Sequence, residues 1–195
     1  MLFKALNPDI EVNGESVLSV INGMGLAKVA GYSILSDNGI VDPKPGQWYK
    51  QQSWLNAFKE ISEKIGDATL QAIGKSIPES AKFPPEIESI EKALFSIDIA
   101  YHMNHRLNGK VLFDSATGIM SEGIGHYKAE KKSETLITIT CDNPYPDAFD
   151  LGIIDTMAKK FPGGAAHFIK VHQLTETGSR TKGNEASVFE ISWKL

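Results

Sequence analysis

The texture of the chain changes near residue 110, and this constrains the fold more than any motif. Before that point apolar residues recur every three or four positions. After it they alternate with polar ones or cluster in short runs. The first pattern buries one stripe of a helix, and the second buries one face of a strand. The order is helices first, then strand–strand–helix–strand–strand. It predicts an α+β fold in which an N-terminal helical lobe, about residues 1–108, packs on an α/β lobe, about 109–195. The second lobe is a mostly antiparallel four-stranded sheet with a covering helix. At 195 residues the two lobes make one domain.

In the first half, Val17, Val20, Ile21 and Met24 have helical spacing behind Asn13, a residue suited to an N-cap. "VAGYSILSDNGI" fits a strand or a short helix, and "VDPKPGQWY" reads as a loop because Pro43, Pro45 and Gly46 exclude regular structure. Trp48, Tyr49 and Trp54 follow it, either pinning the loop to the core or walling a pocket. Ser53 is the expected cap of a helix carrying Trp54, Leu55, Phe58, Ile61 and Ile65, ended by Gly66. Asp67 opens another, expected to stop at Pro78. After Pro84-Pro85 a long helix is predicted from about Glu86 to about Arg106, with Ile87, Ile90, Leu94, Ile97 and Tyr101 on its apolar stripe. Asn108-Gly109 closes it.

In the second half "KVLFD" and "ETLITITC" read as strands, "DNPYPDAFDLGIIDTMAKKF" as a turn and a helix, and "AHFIKVHQL" and "ASVFEISWKL" as two more strands. The turn-rich "TETGSRTKGNE" suits a long hairpin loop.

A net charge of -4 offers no basic excess to displace counterions from phosphates, so nucleic-acid binding is not expected. Cys141 is the single cysteine, which excludes an internal disulfide and a cysteine-rich zinc site and fits a reducing, cytoplasmic compartment. Next to Asp142 its thiolate is disfavoured. The N-terminus does not read as a signal peptide, and no apolar run reaches the ~20 residues of a membrane span. No Gly-x-Ser-x-Gly elbow or phosphate-binding glycine loop occurs, so an enzyme is not expected. Asp147 and Asp150 flank a helix start, where carboxylates complement the dipole.

One stretch carries candidate chemistry: Asp98 to Arg106, "DIAYHMNHR". On a helix His102 and His105 share a face, and Asp98 lies one turn before His102. Its carboxylate can hold one imidazole nitrogen and leave the other free, the arrangement that orients metal and heme ligands. Asp98, Tyr101, His102 and His105 are therefore the candidate ligand- or heme-binding residues, with His102 or His105 on heme iron if a heme is present. The same residues serve equally as local hydrogen-bond partners and helix C-terminal cations. Asp98, His102 and His105 could also form a facial triad for a metal. His126, His167 and His172 are available as further ligands, but a compact multi-histidine centre is not predicted, since His167 and His172 fall on opposite faces of a regular strand.

Several phrases together resemble one family. "FKEISEKIGDATLQAIGKSI" is similar to a helical segment of H-NOX (heme nitric oxide/oxygen binding) domains. The "FPP" break and the helix ending in "DIAYHMNHR" take the place of the H-NOX helix that supplies the proximal heme histidine. "FDLGIIDTMAKKF" resembles that family's sheet-covering helix, and "GSRTKGNEASVFEISW" resembles the end of the related 4-vinyl-reductase-like small-molecule-binding domains. The resemblance spans roughly residues 50 to 195. It implies a small-molecule-binding sensory domain with its pocket between the helical lobe and the sheet, occupied by a small apolar ligand or a heme. As a heme-dependent gas sensor it would use a histidine axial ligand. It implies a separate signalling partner, or a homodimer. A noncatalytic interaction module on the same fold is the alternative. The family's Tyr-x-Ser-x-Arg clamp for heme propionates falls here on Ile139, Cys141 and Asn143, which supply no cation.

Overall fold

The computed structural model describes residues 2–164 and 166–195. Among them are six α-helices: α1 (Gly14–Gly23), α2 (Lys28–Asp37), α3 (Gln51–Lys64), α4 (Asp67–Ser80), α5 (Ile90–Met103) and α6 (Asp147–Lys160). The α+β order read from the sequence is present. A helical first half precedes an antiparallel four-stranded sheet of order β7-β8-β10-β9, made by β7 (Tyr127–Ser133), β8 (Leu136–Cys141), β9 (His167–Gln173) and β10 (Ser187–Lys194). On β8 the alternation buries Ile137, Ile139 and Cys141, and on β10 it buries Ser187, Phe189 and Ile191. Helices α5 and α6 pack on this sheet, and α6 also packs on α4.

The first strand of that sheet is not "KVLFD". Residues 110–114 form two short pieces outside it, β4 (Lys110–Val111) and β5 (Phe113–Asp114), the latter paired with β6 (Ile119–Met120). The true edge strand is "YKAEKKS", where only Tyr127 is buried. A solvent-facing edge needs charge rather than alternation, so its sequence carries no strand pattern.

A further four-stranded sheet was not anticipated. Its order is β2-β1-β3-β4, where β1 is Ile10–Asn13, β2 is Trp48–Lys50 and β3 is His105–Leu107. Strands this short leave too few residues for a period to show. Trp48 and Tyr49, read as loop, belong to β2. The ambiguous "VAGYSILSDNGI" is helical, as α2.

Three helix limits also differ. Ser53 lies inside α3, whose N-cap is Lys50. Helix α4 runs through Pro78 to Ser80; the proline sits in the last turn, where little helix remains to be broken. Helix α5 is shorter than residues 86–106: Ser89 caps it, accepting from the Lys92 N–H at 3.3 Å, and Asn104 ends it. The chain then enters β3 and turns back through Asn108-Gly109, both left-handed (φ 51° and 78°), as a two-residue hairpin requires.

Candidate functional site

Helix α5 meets α4 and α6 around an apolar chamber of about 120 Å³ beside its last turn. Ile97, Ala100, Tyr101 and Asn104 face it at helical spacing from α5, and His105 follows them. Phe149, Ile153 and Met157 close it from α6, Ile77 and Pro78 from α4, and Trp54 from α3. The large sheet contributes Tyr127, so the roof is mainly α6 and the turn before it rather than the sheet itself.

Two candidates, Tyr101 and His105, lie at this chamber. The Tyr101 hydroxyl donates to the Ile124 carbonyl at 2.7 Å, and burial pushes its pKa well up. His105 is 4% exposed, and burial pushes its pKa down to about 4, so the ring is neutral. Its Nδ1–H donates to the Tyr101 carbonyl at 2.7 Å. That leaves the lone pair on Nε2, which accepts from the Tyr145 hydroxyl at 2.9 Å. Tyr145 is further placed by Phe58 and Phe149, at centroid distances of 5.6 and 5.4 Å. The amide of Gln51 reaches the Tyr145 oxygen at 3.5 Å, while its own buried Oε1 has no partner among the described residues.

Asp98 and His102 point elsewhere. The expectation that His102 and His105 share a helical face does not hold, because His105 has left the helix for β3. His102 is fully buried and does not line the chamber. Its Nδ1–H bonds the Asp98 carbonyl at 2.8 Å, not the carboxylate, which lies at 3.5 Å. The Asp98 carboxylate accepts from the Tyr127 N–H at 2.9 Å and from His126 Nδ1 at 2.9 Å. The Asp98–His102–His105 triad is therefore not assembled; among the described residues the group close enough to share an ion is Asp98, His102 and His126.

Sequence reading missed a buried charge network beneath the chamber. Arg180, from the loop after β9, sends Nη2 to Asp147 Oδ1 at 2.8 Å and to Asp150 Oδ2 at 2.5 Å. Its Nη1 reaches Asn143 Oδ1 at 3.0 Å and the Asn143 carbonyl. Tyr127 and Ser187 donate their hydroxyls to Asp150 and Asp147, both at 2.6 Å. Asp147 and Asp150 stand in the first turn of α6, as expected, and are in addition buried partners of an arginine. Burial raises Asp150 to about 6 against the pull of Arg180. No local signal marks Arg180, which sits in a turn-rich stretch. Burial likewise pushes the Cys141 thiol well up, in keeping with an inert residue.

Sequence comparison finds no matching family model and no matching curated protein. Comparison of folds does match. A structure from work on heme distortion in the H-NOX family superposes with a TM-score of 0.63 at 17% identity, covering 94% of this chain and 95% of that one. An H-NOX protein from S. oneidensis, in an Fe(II) state, gives 0.63 at 10% identity, over 94% and 96% of the two chains. An oxygen-binding H-NOX domain related to soluble guanylate cyclases gives 0.60 at 17%, over 94% and 95%. The fold is that of an H-NOX domain.

This H-NOX-like fold allows a heme as cofactor, and the chamber tests the fit. A heme needs a free axial lone pair, a planar slot and partners for its propionates. Here the His105 lone pair is held by Tyr145, and the chamber is below the ~300–1,000 Å³ usual for small-molecule sites. No lysine or arginine is among the lining residues. The clamp positions Ile139 and Cys141 are buried on β8, and Asn143 is bound to Arg180. As arranged, these residues do not fit a heme.

Proposed function

We propose that this H-NOX-like domain is a sensory, small-molecule-binding module without catalytic activity. Its occupant is small, uncharged and mostly apolar, with one polar group that meets the His105–Tyr145 pair. The observation that carries this reading is the half-open chamber, apolar on most sides and served by one neutral hydrogen-bonded pair. A cavity of ~150 Å³ holds benzene, so the size matches a single small ring. The signal passes to a separate partner chain or to a second copy.

Trp54 lines the chamber, which gives a direct readout. Phenol, excited away from its own absorbance, is expected to change the tryptophan emission saturably. Trp54→Phe removes that change, and Ala100→Phe, at the exposed rim, weakens it. A purely linear response, equal in all three proteins, removes the proposal.

The second reading is a heme-based gas sensor with His105 as axial ligand, favoured by the fold neighbours. It requires Tyr145 to give up His105 and the chamber to open. Hemin titration of wild type and Tyr145→Phe separates the readings. The small-molecule reading expects no one-to-one Soret band in wild type. A stoichiometric band lost in His105→Ala supports heme instead.

A further inference from the structure

A second cluster lies beside the chamber on a neighbouring face of α5 and is independent of the sensory reading. Asp98 and His102 stand one turn apart on α5; Glu122 and His126 stand four residues apart on the segment leading into β7. One donor atom from each of Asp98, His102 and His126 lies within 4.8 Å of the others. The His102 and His126 rings lie 4.9 Å apart at 33°. His126 Nδ1 is 2.9 Å from Asp98 Oδ2, and its Nε2 is 2.8 Å from Glu122 Oε2.

Three features separate this cluster from an ordinary ion pair. First, His102 is wholly buried; Nδ1–H is fixed on a carbonyl, so the lone pair sits on Nε2, which no described group satisfies. An imidazole with one nitrogen fixed on a carbonyl and the other idle is set as a metal ligand is, whereas a structural histidine normally uses both nitrogens. Second, the spacing is close to that of a coordination shell. Bonds of about 2.0–2.2 Å to nitrogen and oxygen put tetrahedral ligands roughly 3.3 Å apart. The His126 Nδ1–Asp98 Oδ2 separation of 2.9 Å is near that value, and one ligand atom from each of Asp98, His102 and His126 lies within 4.8 Å of the others. Third, the cluster has a way in. The His102 side is closed, while the Glu122 side chain is 83% exposed. The Asp98 carboxylate is also oriented by the Tyr127 N–H, as an outer partner orients a ligand.

We infer that Asp98, His102 and His126 form a binding site for a divalent transition ion of the zinc type, with Glu122 as the outer partner that holds the other nitrogen of His126 and solvent completing the shell. Mixed imidazole and carboxylate donors suit zinc and its first-row neighbours, and disfavour calcium or magnesium, which take oxygen ligands. In the metal-free form the His126 ring holds the two carboxylates together. An ion would supply that charge itself and tie the end of α5 to the start of the large sheet.

The test is zinc competition against a chromophoric chelator with the full chain, backed by the visible spectrum of added cobalt(II). One equivalent is expected per chain, with the intense cobalt bands of a four-coordinate site. His126→Ala, an edge residue chosen so that the core survives, should weaken zinc at least ~100-fold, since losing even an outer partner costs 10–100-fold. Glu122→Gln should weaken it less, and His172→Ala, on the exposed part of β9, should leave it unchanged. Circular dichroism of each variant shows that it is folded. Absence of competition in wild type, equal binding by His126→Ala, or loss in His172→Ala would each overturn the inference.

Discussion

His105 concentrates the physical chemistry of the chamber. It is buried and neutral, and both nitrogens are bonded. Its pKa falls from 6.5 to about 4 on folding. Between those values the unfolded chain takes up a proton that the folded chain refuses. Folding therefore loses stability as pH drops through this window, by up to ~3 kcal/mol, and the effect is absent above it. His105→Gln, which can still accept from Tyr145, should flatten the dependence. The check is the difference in urea midpoint between wild type and variant at pH 7 and pH 4.5. Tyr145→Phe leaves Nε2 buried without a donor and should cost ~1–3 kcal/mol in the same assay at pH 7. The sequence singled out this histidine as a candidate but did not show its partner. Asp98 and His102 are local in sequence, whereas Tyr145 lies 40 residues away from His105, and only the fold brings it there.

At the scale of elements, the chamber depends on how closely α4 and α6 approach. Gly74 and Gly152 face each other's helices. A Cβ on Gly74 would fall 2.1 Å from the Phe149 carbonyl oxygen, and one on Gly152 would fall 2.3 Å from that of Gln71. These contacts are to backbone, so relief requires moving a helix. Gly152→Ala is expected to destabilise by roughly 1–3 kcal/mol or more, since overpacking strains rotamers and backbone together. It should also widen the chamber, because Ile77, Pro78, Phe149 and Ile153 ride on these helices. Thermal denaturation and the phenol response of Trp54 check the two effects. Five of the six helices were legible because amphipathic periods survive over ten or more residues; α2, weakly amphipathic, fitted a strand as well as a helix. Strands of two to four residues, and the lysine-rich edge β7, carry no such period, and their pairing is set by partners far along the chain.

Across the whole molecule, Arg180 joins the loop after β9 to the turn at Asn143 and the start of α6. Arg180→Met leaves two carboxylates buried without their cation and should cost ~3–5 kcal/mol, as broken buried pairs do. Adding Asp150→Asn should recover part of that loss; equal unfolding midpoints for the single and double variants would contradict the coupling. Nothing in the local sequence distinguishes Arg180 from an exposed loop arginine, so this part of the architecture had to await coordinates. The opposite end of the chain has its own tie. In the β1–β3 ladder Val12 stands across from His105, and Asn13 meets Asn104 through both backbone and side chain. Asn13 also caps α1 through the Ser16 N–H. On the proposed sensory reading, a guest that displaced the chamber imidazole would pull on the strand leading directly into the first helix. On that reading, occupancy at the centre would become movement around residues 10–23, where a listening protein would read it.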